Sequence, residues 1–199
     1  MIKCVLISVA TLSVAGSNCL AKTCTEKFAE LMIGVNQDLS SEIDITTEPK
    51  NGPVQKNKFY YKKVGHWMTV MADPKQPRSL AYNNVMYTSS DEGKSWKKIR
   101  TMDSEKNNEN ARKDRIENAK TIRNAICGEE QLDGILVDTV EAEFNAVGSY
   151  PSQNRYKYWV NRENGWVPKA IYHTQSSNYE SVTTQLSQPA PELQLPMPE

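Results

Sequence analysis

The stretch from Asn154 to Tyr172, NRYKYWVNRENGWVPKAIY, restricts the fold more than any other part of the chain. Its first strand, Arg155 to Val160, places tyrosines at alternate positions, which is the period of a β-strand. A polar run ending at Gly165 then supplies a turn, because glycine adopts a positive φ without steric cost. Trp166 opens a second strand, and Pro168, which cannot donate to a ladder, predicts an edge position or a bulge. The stretch therefore predicts a β-hairpin with a half-buried aromatic face.

Similar short runs recur along the chain between Ser40 and Leu186. In the first of them Ile43 and Ile45 alternate with acidic residues, until a segment rich in proline and glycine ends the run. Runs of this length, separated by turn residues, are typical of antiparallel strands joined by hairpins. The sequence therefore predicts an α+β fold in which one curved antiparallel sheet carries two helices.

The first helix is predicted from Thr23 to Asn36. Thr23 and Glu26 have the spacing of a capping box, in which each side chain accepts a hydrogen bond from the backbone of the other. Apolar residues then recur at helical intervals and form a bulky stripe: Phe28, Leu31, Met32, Val35 and Leu39. Two interpretations stay open. The stripe packs on the sheet, or it packs there and also lines a cavity for lipid.

The second helix is predicted from Ser104 to Ile126. It is strongly polar, and its apolar positions form only a narrow stripe: Ile116, Ala119, Ile122 and Ile126. Gly128 marks the end of the helix, directly after Cys127. The charged first part, from Asp103 to Arg115, has no apolar face, so it is expected to fray or to form a solvated lid.

Residues 1–21 have the parts of a secretory signal peptide, beginning with a basic residue near the start. Val5 to Ala15 is an apolar run that is too short to span a bilayer comfortably. Cys19 to Ala21 provides small residues for cleavage after Ala21, which predicts an exported, soluble product. The alternative is that this segment is a buried first helix.

Cleavage would leave two of the four cysteines, Cys24 and Cys127. An even pair in an exported protein favours a disulfide. The bond would close a loop of about 100 residues, worth roughly 4–5 kcal/mol in the chain-entropy model. It would also tie the start of the first helix to the end of the second. The alternative is two buried thiols.

The sequence offers little catalytic chemistry. The 24 basic and 24 acidic residues balance, which gives no electrostatic reason to expect nucleic acid as a partner. Neither histidine, His66 or His173, has a carboxylate or cysteine beside it at ligand spacing, so no metal and no cofactor is predicted. The carboxylate pairs Asp91–Glu92 and Glu129–Glu130 are typical of solvated turns, and no phosphate loop or nucleophile elbow is present. The chain is therefore predicted not to be an enzyme.

The segment Ser89–Trp96 resembles an Asp-box, the S-x-D-x-G-x-S-W hairpin that is repeated in sialidase propellers. A propeller repeats its blade at regular spacing, whereas this motif occurs once in a chain too short for several blades. We therefore predict a structural turn in which Asp91 accepts hydrogen bonds from local backbone amides and Trp96 packs inward.

The C-terminal segment Gln188–Glu199 carries four prolines and is predicted to be an extended or disordered tail. The predicted organisation is a signal peptide over residues 1–21, one domain over residues 22–187, and the tail over residues 188–199.

Two short fragments carry a resemblance to a known family. Tyr87 to Trp96 is similar to a strand pair with tyrosine, a turn and tryptophan, and Tyr158 to Lys169 to a hairpin with tryptophan, glycine, proline and lysine. With the order of elements over most of residues 23–187, they resemble the LolA-like superfamily of periplasmic lipoprotein carriers. The resemblance implies a half-open barrel of about nine to eleven strands, whose concave face is covered by two helices and binds acyl chains. The cysteine pair and the proline-rich tail depart from the carrier itself.

The expected function is therefore non-catalytic binding or carriage of a lipid or lipoprotein acyl chain by a periplasmic monomer. Apolar burial would drive binding, at about 0.8 kcal/mol per methylene. The candidate ligand-binding residues come from both helices and the sheet: Phe28, Leu31, Met32, Val35, Trp67, Met71, Ile122 and Trp159. The alternative is a cell-envelope protein-interaction module of the same fold with a filled core, which docks a partner through exposed aromatic residues or the tail. A third possibility, a hydrolase, needs a polar constellation that the sequence does not show.

Overall fold

The structure is a computed structural model that describes residues 22–36, 39–147 and 151–198. Over these residues the chain forms two α-helices and eleven β-strands, and all the strands belong to one antiparallel sheet. The predicted signal peptide, residues 1–21, lies outside the described residues. Within the described ranges, no helix combines the length and the apolar character needed to cross a membrane.

The first part of the chain is a helix followed by a meander of six strands, each paired with the strand before it. The helix is α1 (Cys24–Gly34). The strands are β1 (Ser41–Pro49), β2 (Gln55–Lys63), β3 (His66–Asp73), β4 (Arg78–Tyr82), β5 (Val85–Ser89) and β6 (Lys97–Thr101). Helix α2 (Ser104–Ala119) follows.

The second part of the chain is a meander of five strands after α2: β7 (Arg123–Leu132), β8 (Ile135–Ala146), β9 (Ser152–Val160), β10 (Lys169–Gln175) and β11 (Glu180–Pro189). Strand β11 returns to pair with β1, which leaves β6 and β7 as the two edges of the sheet. Helix α2 is the segment that connects these edges. The sheet curls without closing, so the predicted α+β half-barrel with two helices is confirmed.

Helix α1 begins as predicted, because both hydrogen bonds of the capping box form. The backbone N–H of Glu26 donates to Thr23 Oγ1 at 3.3 Å, and the backbone N–H of Thr23 donates to Glu26 Oε2 at 2.7 Å. These bonds lower the pKa of Glu26. After the helix, the side chain of Asn36 donates to Val167 O at 2.9 Å and accepts from Val167 N at 3.0 Å. Both ends of α1 are therefore fixed by side-chain hydrogen bonds.

The central hairpin is confirmed as the pair β9 and β10, with Gly165 at φ +71°. Its second strand begins at Lys169, and the prediction that Trp166 opens it is wrong. Pro168 has no backbone N–H to donate to a neighbouring strand. The backbone N–H and carbonyl of Val167 are hydrogen-bonded to the side chain of Asn36. Because β10 lies between β9 and β11, the hairpin is internal to the sheet and not at an edge.

Helix α2 ends at Ala119, and the prediction that it continues to Ile126 is wrong. Thr121, two residues after the helix, attaches the chain to β8. Its hydroxyl donates to Asn145 O at 2.9 Å and accepts from Asn145 N at 2.9 Å. The residues from Arg123 onwards then extend as β7. Isoleucines at helical spacing fitted a helix, but their β-branched side chains suit a strand equally well.

The last strand continues to Pro189, which pairs with Ser41 of β1. The tail predicted from Gln188 therefore begins two residues too early, since Gln188 and Pro189 belong to an internal strand. The residue that follows is also held, because the N–H of Ala190 donates to Ser40 O at 2.8 Å.

Candidate functional site

One face of the sheet carries the helices. Phe28 of α1 identifies it, because its ring centroid lies 5.6 Å from that of Tyr158 and 6.2 Å from that of Phe144. Directly paired residues share a face, so the register can be followed from Tyr158 through β10, β11, β1 and β2 to Trp67 in β3. Trp67 lies on the same face as Tyr158. We call this the helix-bearing face.

The covered half of the helix-bearing face consists of β7 to β10, under α1. Phe28 is fully buried there, and Met32 is 6% exposed. They form one core with buried residues of the sheet and of the β9–β10 connection: Val140, Ala142, Phe144, Tyr158, Val167 and Ala170. Burial raises the pKa of Tyr158, so its phenol stays neutral. The protein's own side chains fill the centre of this half, around Phe28 and Met32.

The disulfide between Cys24 and Cys127 is confirmed, with 5.6 Å between the two Cα atoms. Its predicted position at the end of the second helix is wrong, because Cys127 lies in β7. The bond therefore ties the first residue of α1 to the sheet. Gly128, predicted to end a helix, also lies in β7, where a Cβ would sit 3.0 Å from Thr139 Oγ1. A disulfide fits an oxidising compartment.

The open half of the helix-bearing face consists of β1 to β5. The main contacts of the helices are with each other, β7 and β8. Six apolar side chains of the open half are only partly buried: Ile43, Ile45, Phe59, Trp67, Met71 and Met86. The rings of Phe59 and Trp67 pack with their centroids 5.7 Å apart. A partly exposed apolar surface of this kind suits an apolar ligand.

Helix α2 runs between the two edges of the sheet and is anchored at its ends. At its start, the N–H of Ser104 donates to Asn84 Oδ1 at 3.2 Å. Near its end, Asn118 Oδ1 accepts from the N–H of Val147 at 3.0 Å. Residues 105–114 between these anchors are exposed, apart from the half-buried Asn108. We call residues 105–114 the bridge of α2. This helical segment has no apolar face, and its side chains are largely exposed to solvent.

A cleft of about 570 Å³ lies beside α1 in the covered half. Its apolar lining includes Leu31, Val140 and Val160, next to the disulfide-bonded Cys127. Charged residues complete the lining: Lys27, Glu30, Glu129 and Asp138. Small-molecule sites commonly have volumes of roughly 300–1,000 Å³, so this cleft has the size of such a site, with a lining that is partly charged.

The structure does not bring the eight predicted ligand-binding residues into one cavity. Five of them lie in the core under α1 or pack around it: Phe28, Leu31, Met32, Val35 and Ile122. Two lie in the open half: Trp67 and Met71. The first group stabilises the covered half, and Leu31 also lines the cleft. The second group belongs to the partly exposed apolar surface.

Trp159 lies on the opposite face of the sheet from α1, since neighbouring residues of a strand point to opposite sides. Its Nε1 donates to Glu130 Oε2 at 2.8 Å. The ammonium groups of Lys157 and Lys169 lie 4.7 and 4.6 Å from its ring centroid. Trp159 is 5% exposed in this cation–π arrangement, which separates it from the other candidate residues.

The turn between β5 and β6 has the structural form that was predicted. Asp91 accepts hydrogen bonds from Ser95 Oγ at 2.6 Å, Ser95 N at 3.0 Å and Ser89 Oγ at 2.7 Å. These bonds, those from Ser95 first, hold the pKa of Asp91 well below its usual range. A carboxylate that is kept ionised by three local donors is suited to shaping a turn.

The open half offers a ligand apolar surface more than polar chemistry. In the described part of the chain, no three His, Cys, Asp or Glu residues are grouped closely enough to hold a metal ion. On the opposite face, charged side chains pair with one another, as Arg155 does with Glu141 and Lys157 with Glu130.

Sequence reasoning missed four apolar residues of the open half: Ile43, Ile45, Phe59 and Met86. The alternation of Ile43 and Ile45 with acidic residues was visible in the sequence. Alternation shows that two side chains share a face, but the register with neighbouring strands decides which face it is.

Known proteins resemble this chain in fold and hardly in sequence. No family model matches the chain, and no curated protein matches it. A chain of the MucA/MucB complex of Pseudomonas aeruginosa aligns with 85% of this chain and 59% of its own length, at a TM-score of 0.47 and 10% identity. This chain therefore spans little more than half of that neighbour.

Two further neighbours are named after the LolA superfamily and after lipoprotein sorting. A LolA superfamily protein from Nitrosomonas europaea aligns with 88% of this chain and 96% of its own length, at a TM-score of 0.34 and 10% identity. A putative outer membrane lipoprotein-sorting protein domain from Vibrio parahaemolyticus aligns with 85% of this chain and 92% of its own length, at a TM-score of 0.33 and 10% identity. The solved structures that match this chain thus include a member of the superfamily that the sequence fragments resemble.

Proposed function

We propose that the protein binds an apolar chain, such as the acyl chain of a lipid or lipoprotein, between α2 and the open half of the helix-bearing face. It does so without catalysis, as an exported periplasmic protein. One observation carries the proposal. The bridge of α2 is anchored only at its ends and is polar on all sides, while the apolar side chains of the open half remain partly exposed.

The bridge of α2 cannot cover the open half with apolar surface of its own. A helix without an apolar face cannot bury Phe59, Trp67 and the adjacent apolar side chains, so it cannot form a core with them. An acyl chain can, because each buried methylene contributes about 0.8 kcal/mol. About ten buried methylenes would contribute roughly 8 kcal/mol before the entropic costs of binding, which is enough for a weak or moderate complex.

The test is whether the protein carries and takes up acyl chains. Protein purified from its native host is expected to hold lipid that mass spectrometry of the denatured sample detects. After delipidation, it is expected to bind a fluorescent fatty acid in titration. A preparation that is free of lipid and also ignores the fluorescent fatty acid would overturn the proposal.

A second candidate function is docking of an envelope protein, and the filled core under α1 favours it. The MucB neighbour is found in complex with MucA. A module of this kind would capture its partner through exposed side chains or through the residues after β11. Deletion of residues 190–199 leaves the pairing of Pro189 with Ser41 intact. This deletion is expected to abolish partner capture if the residues after β11 hold the partner, and to leave fatty-acid binding unchanged.

A further inference from the structure

Arg115, near the end of α2, is a charged side chain that the fold leaves incompletely paired. Its Nε donates to the backbone oxygen of Ile33 in α1 at 3.1 Å. Its Nη2 is buried and has no hydrogen-bond partner. Among the described residues, no carboxylate lies within the 4.0 Å of an ion pair with this guanidinium. A buried donor on a cation is costly to leave unpaired.

The surrounding charges do not compensate Arg115. Burial lowers its pKa, and the like charge of Arg112 lowers it further, whereas Tyr158 and Asp114 raise it by smaller amounts. An arginine stays protonated even so, because its pKa lies far above neutral pH. The position therefore holds a permanent positive charge with free donor capacity.

The position of Arg115 connects it to the proposed ligand site. It follows directly after the bridge of α2, at the point where α2 reaches α1. It lies close enough to Tyr158, a buried residue of the helix-bearing face, for each group to influence the pKa of the other. Arg115 thus lies where α2 contacts α1, directly after the bridge of α2.

We propose that Arg115 binds the anionic head group of the apolar chain, a carboxylate or a phosphate ester. This inference rests on the proposed function and specifies its ligand class. A guanidinium fork matches the oxygens of either group, and Nη2 remains available while Nε holds Ile33. The head group supplies the counter-charge that the chain lacks. The ligand is then oriented, with its charged end at Arg115 and its apolar end under the bridge.

The test measures head-group preference on the full chain. N-phenyl-1-naphthylamine, an uncharged fluorophore, is bound first and is then displaced by decanoic acid, decyl phosphate or methyl decanoate. The wild type is expected to prefer the acid or the phosphate to the ester by about tenfold or more, which is the effect of one charge-assisted hydrogen bond. Arg115→Gln is expected to remove this preference and to leave displacement by the ester unchanged.

Two further variants separate a head-group site from a general effect of charge. Arg112→Gln removes an exposed cation one helical turn away and is expected to keep the preference. Arg115→Lys keeps the positive charge but loses the paired donors of the guanidinium, so an intermediate preference is expected. This variant replaces Arg115→Gln in the test if the glutamine variant does not fold.

The outcomes distinguish this inference from the proposed function. Equal displacement by all three compounds in the wild type would overturn the role of Arg115 and leave acyl binding standing. An equal loss of preference in Arg112→Gln and Arg115→Gln would also overturn it. If the fluorophore does not bind and a fluorescent fatty acid does not bind either, the proposed function fails.

Discussion

The two halves of the helix-bearing face use the same sheet in different ways. Under α1, Phe28 is fully buried in a filled core, and the disulfide and Asn36 hold the two ends of the helix. Helix α2 is also held at its ends, but its bridge is exposed, and Trp67 of the open half remains partly exposed. The covered half contains a packed core, whereas the apolar side chains of the open half lack such packing.

The difference follows from the two helix sequences. The stripe of α1 brings bulky side chains to the sheet, whereas the bridge of α2 consists almost entirely of charged and amide residues. Apolar burial is the dominant favourable term in folding. Stability should therefore be concentrated under α1, and ligand affinity in the open half. Each prediction below tests this separation.

The largest loss of stability is expected when the disulfide is removed in a Cys24→Ser, Cys127→Ser double variant. The bond joins residues 103 positions apart, and a loop of this size corresponds to about 4–5 kcal/mol in the chain-entropy model. Denaturant unfolding of the variant and of the oxidised wild type measures the change. An unchanged midpoint would show that α1 does not need this attachment.

The next effect is expected from Phe28→Ala, which removes a fully buried ring from the covered half. Truncations of this kind cost about 3–5 kcal/mol, because they lose apolar burial and leave a cavity. The matched control is Phe59→Ala in the open half, where the ring is partly exposed already, and it is expected to cost about 1 kcal/mol. Equal losses in chemical denaturation would contradict the separation of the two halves.

Trp67→Ala is expected to weaken ligand binding more than it lowers stability. The affinity for a fluorescent fatty acid should fall by about tenfold, since a large part of the apolar contact is lost, while the free energy of unfolding changes by about 1 kcal/mol. Ile126→Ala is the control, because this side chain is 61% exposed on the opposite face and should alter neither quantity. Undiminished fatty-acid binding by Trp67→Ala would place the ligand elsewhere.

The local features of the fold could be predicted from the sequence. The capping box of Thr23, the hairpin around Gly165 and the turn around Asp91 each depend on residues a few positions apart. The pairing of Cys24 with Cys127 needed no geometry, because only two cysteines follow the predicted cleavage site.

The end of α2 could not be predicted from its apolar spacing. Ile122 and Ile126 continue the helical interval, and a short apolar run fits a helix or a strand. The deciding contact is between Thr121 and Asn145, which is long-range in the chain. The same error placed Cys127 at a helix end.

The candidate site depended still more on tertiary structure. The alternation of Tyr158 and Trp159 was clear, yet choosing the face that meets α1 requires the register of several strands. Arg115 looks like any other charged residue of a polar helix, and only the packing of α2 against α1 buries its Nη2. For this reason the apolar stripe was a guide to the core and not to the open half.

The smallest effect is expected from Ala111→Gly in the bridge of α2. Glycine costs about 1 kcal/mol in an exposed helix, but the loss in global stability cannot exceed the free energy of opening the helix itself. We therefore expect a nearly unchanged denaturation midpoint and faster amide hydrogen exchange over residues 105–114. The matched variant is Ala119→Gly at the anchored end, where the methyl group packs against the core under α1. This second substitution should lower the midpoint, because it removes packing as well as helix propensity. If Ala111→Gly were the more damaging of the two, the bridge would be part of the folded core and could not open to admit a ligand.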